Sequence, residues 1–226
     1  PKQTHAMTAT PKTVRYLRVG FKDSLAAYEI PALRGGVIAR VGEEHDRFHN
    51  HQPDGRPQYR YPLIQYKRVH GKAAIVCLGP AVDDIHQFFT RSEVRIPISG
   101  RQLDMEVDRL ELHSHRLHVW DRKQAYLIHN WIGLNAEAYK GYQELTSAVE
   151  KLQLLTRKLQ GNILAMAKGL DWYIDAPVEV SWRDVPEKRT VKLKGVPVLA
   201  FSGVFETNVS LPPFIGLGKS PSLGFG

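Results

Sequence analysis

Cysteine is nearly absent: Cys77 is the single one in 226 residues. It sits in the apolar run AAIVCLG. That excludes an intrachain disulfide and any multi-cysteine zinc site, and it marks Cys77 as a core residue in a reducing compartment. No stretch of about 18 uncharged apolar residues occurs, so no transmembrane helix is expected. No secretory leader is visible, and the expected location is the cytoplasm, with no membrane partner. The CxxC and HExxH arrangements of common zinc sites are missing too. Acidic residues are in deficit: 31 Lys and Arg against 23 Asp and Glu leave a net charge of +8. An excess of this sign points to a polyanionic partner, most simply nucleic acid. Hydrophobic content of 42% and charged content of 24% are otherwise those of an ordinary globular protein.

What is present begins at the C-terminal end. Residues 215–226 read IGLGKSPSLGFG, with glycine at 216, 218, 224 and 226. Gly218-Lys219-Ser220 matches the last letters of a nucleotide-binding P-loop. The first glycine of that loop would fall on Pro213, which has no N–H to offer a phosphate, and Pro221 and further glycines follow where a helix should open. ATP is therefore not the expected ligand. Closely spaced glycines let a backbone approach a ligand, and successive N–H groups form an anion-binding concavity. A mobile tail is the competing reading, and the apolar Leu217, Leu223 and Phe225 speak against it.

Along the chain, VRYLRVGF (14–21) reads as a strand. In PALRGGVIARV, Pro31 suits a first helical position and Leu33, Val37 and Val41 fall on one helical face. A polar loop follows. YRYPLIQYKRV and KAAIVCLG read as two strands joined by a His70-Gly71 turn. PAVDDIHQFFT reads as a helix, and further strands are expected over 93–97 and 103–119. In LDMEVDRLELHSH the alternation changes parity between Val107 and Leu110, which signals a bulge or turn. The order β-α-β-β-α-β is that of a ferredoxin-like unit. After an aromatic-rich stretch comes the strongest helical pattern, about 146–169. Ser147 and Glu150 can form a capping box, Leu152, Leu155, Leu159, Ile163 and Met166 form the apolar stripe, and Gly169 lies where a C-cap belongs. PVEVSW, RTVKLKG, VLAFSGVF and TNVSLPP read as four further strands, a looser second repeat. The expected class is thus α+β, divided near residue 120.

Residues 48–51 read FHNH, on the loop after the first helix. His49 and His51 lie near Tyr59, Tyr61, Arg47, Arg56 and Arg60. An HNH metal nuclease would need a ββα frame with further ligands, and neither is seen. Metal-free chemistry on RNA fits this inventory better. The 2′-OH of RNA is an internal nucleophile, histidine moves protons near neutral pH, and arginine and lysine stabilise the charge that develops on phosphorus. Composition alone leaves a solvated surface loop as the competing reading. His113 and His115 share a predicted strand face with Glu111 and read as a solvated polar face. In KRTVKLKG, Thr190, Lys192 and Lys194 share one face, a candidate basic strand for tracking phosphates.

GLGKSPSLGFG, the HNH loop followed by YRYPLIQYKRV, and the segments LQGNILAMAKGLDW and FETNVSLPPFIGLGKS together resemble the Cas6 family, the CRISPR-associated endoribonucleases that process precursor CRISPR RNA. The resemblance is to the Cas6b branch, and it spans roughly residues 33–226. It implies two ferredoxin-like (RRM-like) domains in tandem with a C-terminal glycine-rich loop: residues 12–119 carrying the histidine loop, and 120–226 carrying the glycine-rich loop. It implies cleavage within CRISPR repeats by 2′-OH attack, leaving a 2′,3′-cyclic phosphate and a 5′-OH, with no metal and no cofactor. The alternative is a non-catalytic RNA-binding subunit of a CRISPR complex. The resemblance puts catalytic histidine at His49 or His51, with Tyr59 assisting and Tyr61 as its rival. Of the two, His51 is expected to transfer the proton and His49 to position or neutralise the phosphate. RNA contacts are expected from Gly216, Gly218, Lys219, Ser220 and Gly224, and from Lys192 and Lys194. The partners are CRISPR repeat RNA and other subunits of a CRISPR complex, and the chain is expected to be a monomer or homodimer. RRM domains stack bases on aromatics of their central strands. GKAAIVCLG has none there, so RNA is not expected on that sheet face.

Overall fold

The computed structural model of the chain describes residues 10–42, 45–49, 60–90 and 94–226, and of His49 only the backbone. The N-terminal half is built on β1 (Lys12–Ser24), α1 (Ile30–Val41), a one-turn α2 (Asp46–His49), β2 (Ile64–Val69), β3 (Lys72–Leu78) and α3 (Ala81–Asp84). A 3₁₀ turn over Ile85–Phe89 extends α3. The short hairpin of β4 (Ile96–Ile98) and β5 (Arg101–Leu103) and the long β6 (Val107–Leu117) follow. The main strands pair in the order β2-β3-β1-β6, all antiparallel, which is ferredoxin-like topology. His70 and Gly71 take left-handed φ of 50° and 83°, the two-residue turn that a tight hairpin requires. The parity change has its expected cause. Gly20 pairs with Arg109 but Phe21 with Val107, so Asp108 is the extra residue of a bulge.

The C-terminal half runs β7 (Val119–Trp131), α4 (Ala136–Glu144), α5 (Ala148–Gly169), β8 (Val180–Trp182), β9 (Glu187–Leu193) and β10 (Val196–Val209). Here β7 pairs with one edge of β10, and β8 and β9 share the other. The aromatic-rich stretch contributes a 13-residue strand that its sequence pattern did not announce. VLAFSGVF and the first three residues of TNVSLPP prove to be one strand of 14 residues, because the long β7 gives both pieces the same hydrogen-bonding edge. Helix α5 starts as expected, with the Ser147 hydroxyl accepting from the N–H of Glu150. Gly169 is not its C-cap: it remains helical, and the left-handed residue is Asp171 at φ 52°. No described helix is long and apolar enough to cross a membrane.

Two cores result. One lies between the N-terminal sheet and its helices and contains Leu17, Val19, Leu33, Phe48, Ile64, Tyr66, Ile75 and the buried Cys77. The other crosses the junction. Val14, Tyr16, Val76 and Leu78, from the opposite face of the same sheet, join Trp131, Leu155, Leu159, Ile163, Phe201 and Phe205 of the second half. The sheet face that an RRM leaves open is therefore buried, in agreement with the absence of base-stacking aromatics from β3.

Candidate nucleic-acid interface

The segment after β10 crosses the N-terminal sheet. The Tyr16 hydroxyl donates to the carbonyl of Pro213 at 3.0 Å. Arg18, 7% exposed, pairs with Glu111 through two nitrogens at 3.1 and 2.7 Å. Its guanidinium lies 4.4 Å over the Phe214 ring. The hydrogen bond and charge of Arg18 hold the Glu111 carboxyl below the usual carboxylate range. His115 is half-buried against the hydroxyl of Ser210 at 3.0 Å, and burial lowers its pKa. The face expected to be solvated thus serves the junction: His113 remains exposed, while Glu111 and His115 are drawn into contacts.

Beyond Phe214 the glycine-rich tail is wedged between β2 and the end of β7. Gln65 accepts from the N–H of Gly216 at 2.8 Å, and the hydroxyl of Tyr61 donates to the Gly216 carbonyl at 2.9 Å. The N–H of Lys219 donates to the carbonyl of Ile132 at 2.9 Å, and that of Gly226 to His129 at 3.2 Å. The glycines are required by close approach. A Cβ at Gly216 would lie 2.4 Å from the Phe225 carbonyl oxygen, at Gly218 2.7 Å from that of Ile132, and at Gly224 2.6 Å from Ile30 Cδ1. Gly218 and Gly224 also have φ of 84° and 83°, and Ser220 shares the left-handed region at 55°. The tail is therefore a fitted part of the fold. Its exposed cation is Lys219, and Gly218, Ser220 and Gly224 are part-exposed beside it.

Lys67, which sequence reasoning passed over, lies beneath this tail. It is 6% exposed, and its ammonium is 2.8 Å from where a Gly216 Cβ would stand. No salt bridge joins it to a carboxylate among the described residues. Burial pushes its pKa down to about 7. The alternation of β2 gives a retrospective signal: Gln65 and Lys67 share the face opposite Ile64 and Tyr66.

His51 and Tyr59 lie outside the described residues. The two described ends of their loop are anchored. At the entrance, Phe48 is buried, its carbonyl accepts from the Tyr66 hydroxyl at 3.2 Å, and Arg47 pairs with Asp84 at 2.6 Å. His49 closes this helical turn. At the exit stands Tyr61, held to Gly216 and packed against α5, where Gly169 admits it: a Cβ there would be 2.3 Å from Tyr61 Cβ. Burial raises the Tyr61 phenol pKa far above its ordinary value. Tyr61 is thus a part-buried tail anchor.

Lys192 is exposed on β9, and its side shares a face with Thr190, opposite Pro197 and Leu199 on β10. Lys194 does not extend that face. It is the first residue of the β9–β10 turn, with φ of 51° followed by Gly195 at 82°, so the strand alternation ends before it. Among the described residues no group of three or more His, Cys, Asp or Glu side chains is placed to hold a metal ion.

Comparison with known proteins gives two family matches that divide the chain: residues 12–116 match the Cas6b N-terminal domain and residues 118–226 the Cas6b C-terminal domain. Among solved structures, the chain is similar to one described as the crystal structure of Cas6b. That likeness has 26% identity and a TM-score of 0.87, over 95% of this chain and 98% of the other. A crystal structure of the CRISPR RNA processing endoribonuclease Cas6b aligns with a TM-score of 0.68 at 22% identity, over 95% of this chain and 97% of that one, a likeness of fold. An uncharacterized protein of Methanocaldococcus jannaschii is 37% identical over 99 residues, which are 44% of this chain and 66% of that relative. The chain thus spans just under two thirds of that relative's length.

Proposed function

Because the chain belongs to the Cas6b family, its two domains matching residues 12–116 and 118–226, we propose that it is an endoribonuclease that processes CRISPR RNA by cleaving within the repeats without a metal ion. The observation that carries this reading is the link between its two signature segments. The loop bearing His49, His51 and Tyr59 leaves a buried Phe48 and returns at Tyr61, whose hydroxyl holds Gly216 of the glycine-rich tail. The loop exit and the tail are thereby joined through Tyr61, which supports a reading in which one RNA contacts both the exposed tail around Lys219 and the histidine loop.

In this mechanism the 2′-OH attacks the adjacent phosphorus and the 5′-oxygen leaves, giving a 2′,3′-cyclic phosphate and a 5′-OH. The 2′ proton passes to a base, and the leaving oxygen takes a proton from an acid. In-line displacement puts these groups on opposite sides of the phosphorus, so two neighbouring histidines do not hold both roles. His51 transfers a proton, His49 positions or neutralises the phosphate, and Tyr59 assists at the 2′-OH or the leaving oxygen. Lys219, Lys192 and Lys194 contribute positive charge to the RNA path.

The test is single-turnover cleavage of end-labelled repeat RNA in EDTA, with end-group analysis of the products. Cleavage that persists in EDTA and leaves a cyclic phosphate is expected. His51→Ala should lose about 10²–10⁴-fold in rate, the usual worth of a general acid or base, and His49→Ala less. Binding without any cleavage by the wild type would instead favour the non-catalytic RNA-binding subunit. Cleavage that needs a divalent metal would overturn the mechanism.

A further inference from the structure

The C-terminal half carries a cleft that none of the motifs predicted. It lies between α4, the start of α5 and the β9–β10 hairpin, and its volume is about 580 Å³, within the range of about 300–1,000 Å³ typical of ligand sites. Tyr139, Tyr142 and Gln143 line it from α4 and Lys151 from α5. Lys188, Arg189 and Thr190 line it from β9. The cationic side chains of Lys151 and Lys188 and two phenol rings therefore face one opening, with no carboxylate among the lining residues.

The walls are built. Asn135 caps α4 by accepting from the N–H of Ala138 at 2.8 Å, and Ser147 caps α5, which sets the elbow between the helices. The Tyr142 ring packs edge-on against Phe201 at 5.7 Å, with the Lys151 ammonium 5.3 Å from its centre on the cleft side. Gln143 donates to the Tyr139 hydroxyl at 2.8 Å, and Tyr139 is 39% exposed. Lys188 pairs across the sheet with Phe201 and so shares the face of Tyr142, whereas the next residue, Arg189, turns to the other face, where Asn130 holds it at 2.7 Å. The groove on the other side of α4 provides the contrast. It is of similar size, about 520 Å³, but it mixes Glu137 and Glu144 with Lys140 and Lys158. Of these two clefts, the first alone has cations without carboxylates, and its charge continues along the same face of β9 to the exposed Lys192.

We propose that this cleft is a subsite for a single-stranded segment of RNA, one base lying on the Tyr139 ring and the flanking phosphates on Lys188 and Lys151. An aromatic face beside a run of cations is the combination that holds single strands independently of sequence. The proposal rests on the reading of the chain as an RNA-binding protein, and it adds a binding site remote in sequence from both the histidine loop and the glycine-rich tail.

The test measures binding alone. The probes are labelled repeat RNA with a 2′-deoxy residue at the cut site, and a labelled single-stranded RNA of about 10 nucleotides, a length that one binding fold can occupy. Tyr139→Ala should weaken binding of both by about 5-fold or more, the usual loss for one stacked base, and Tyr139→Trp should restore it. Lys188→Ala should weaken binding and lower the slope of log affinity against log salt by about 0.7, one phosphate contact on a single strand. Unchanged affinity and salt slope in Tyr139→Ala and Lys188→Glu would overturn the subsite, and so would wild-type protein that binds neither RNA. Displacement of RNA by polyglutamate with no effect of Tyr139→Ala would also overturn it, in favour of an acidic protein partner. A wild type that binds but does not cleave would remove the catalytic reading and leave the subsite standing.

Discussion

Replacing Lys67 by methionine should stabilise the protein, and the gain should disappear as the pH rises. Lys67 is 6% exposed beneath the glycine-rich tail, and burial brings its pKa from 10.5 down to about 7. Below pH 7 the lysine is protonated in both the folded and the unfolded chain, so the fold bears the full cost of a buried charge. Between about 7 and 10.5 the folded protein has lost the proton and the unfolded chain still holds it. Unfolding then takes up a proton, and stability rises with pH across this window. At about 1.4 kcal/mol per pH unit, the interval between 10.5 and about 7 amounts to a ceiling of about 5 kcal/mol. Methionine has nearly the same length and no charge, so the hydrocarbon packing under Gly216 is retained. The assay is denaturant unfolding of both proteins at pH 6, 8 and 10. Lys67→Met should exceed wild type most at pH 6, and the two should converge toward pH 10. A difference that does not change with pH, or a methionine variant less stable at pH 6, would refute the argument. Either result would mean that the Lys67 charge is compensated in the folded state.

Gly169→Ala sets two effects against each other. Alanine in a helix gains about 1 kcal/mol over glycine, but its Cβ would stand 2.3 Å from that of Tyr61. The clash should win, so thermal unfolding should show a lower Tm. Gly218→Ala combines a φ of 84° with a Cβ 2.7 Å from the Ile132 carbonyl. A loss of about 1–3 kcal/mol is expected for left-handed strain before the collision is counted, and denaturant melts would read it. Tyr61→Phe removes the hydrogen bond to Gly216 and should cost about 1 kcal/mol while leaving the ring packed. If tail and loop are coupled through it, RNA cleavage should fall as well.

The primary sequence determined the elements whose pattern is local. The four-residue spacing of Leu155, Leu159 and Ile163 and the hydroxyl of Ser147 specify α5 within one stretch of chain. The parity change around Asp108 betrays its bulge, and the β-α-β-β-α-β order leads to the β2-β3-β1-β6 sheet. The family is also carried by local motifs, the histidine loop and the glycine-rich tail. Local pattern reports which face is buried, and it does not report against what. VLAFSGVF and TNVSLPP read as separate strands, yet β7 supplies an edge along which β10 runs through Glu206 between them. Gly169 read as a helix cap, yet its missing Cβ makes room for Tyr61, more than a hundred positions earlier. Lys67 becomes a buried cation only when a tail roughly 150 residues away closes over it, and the cationic cleft exists only where α4 meets β9. Contacts between segments so distant along the chain impose no periodicity on either one. They are set by packing the two halves around Tyr16, Trp131 and Phe201, and only the tertiary structure decides them.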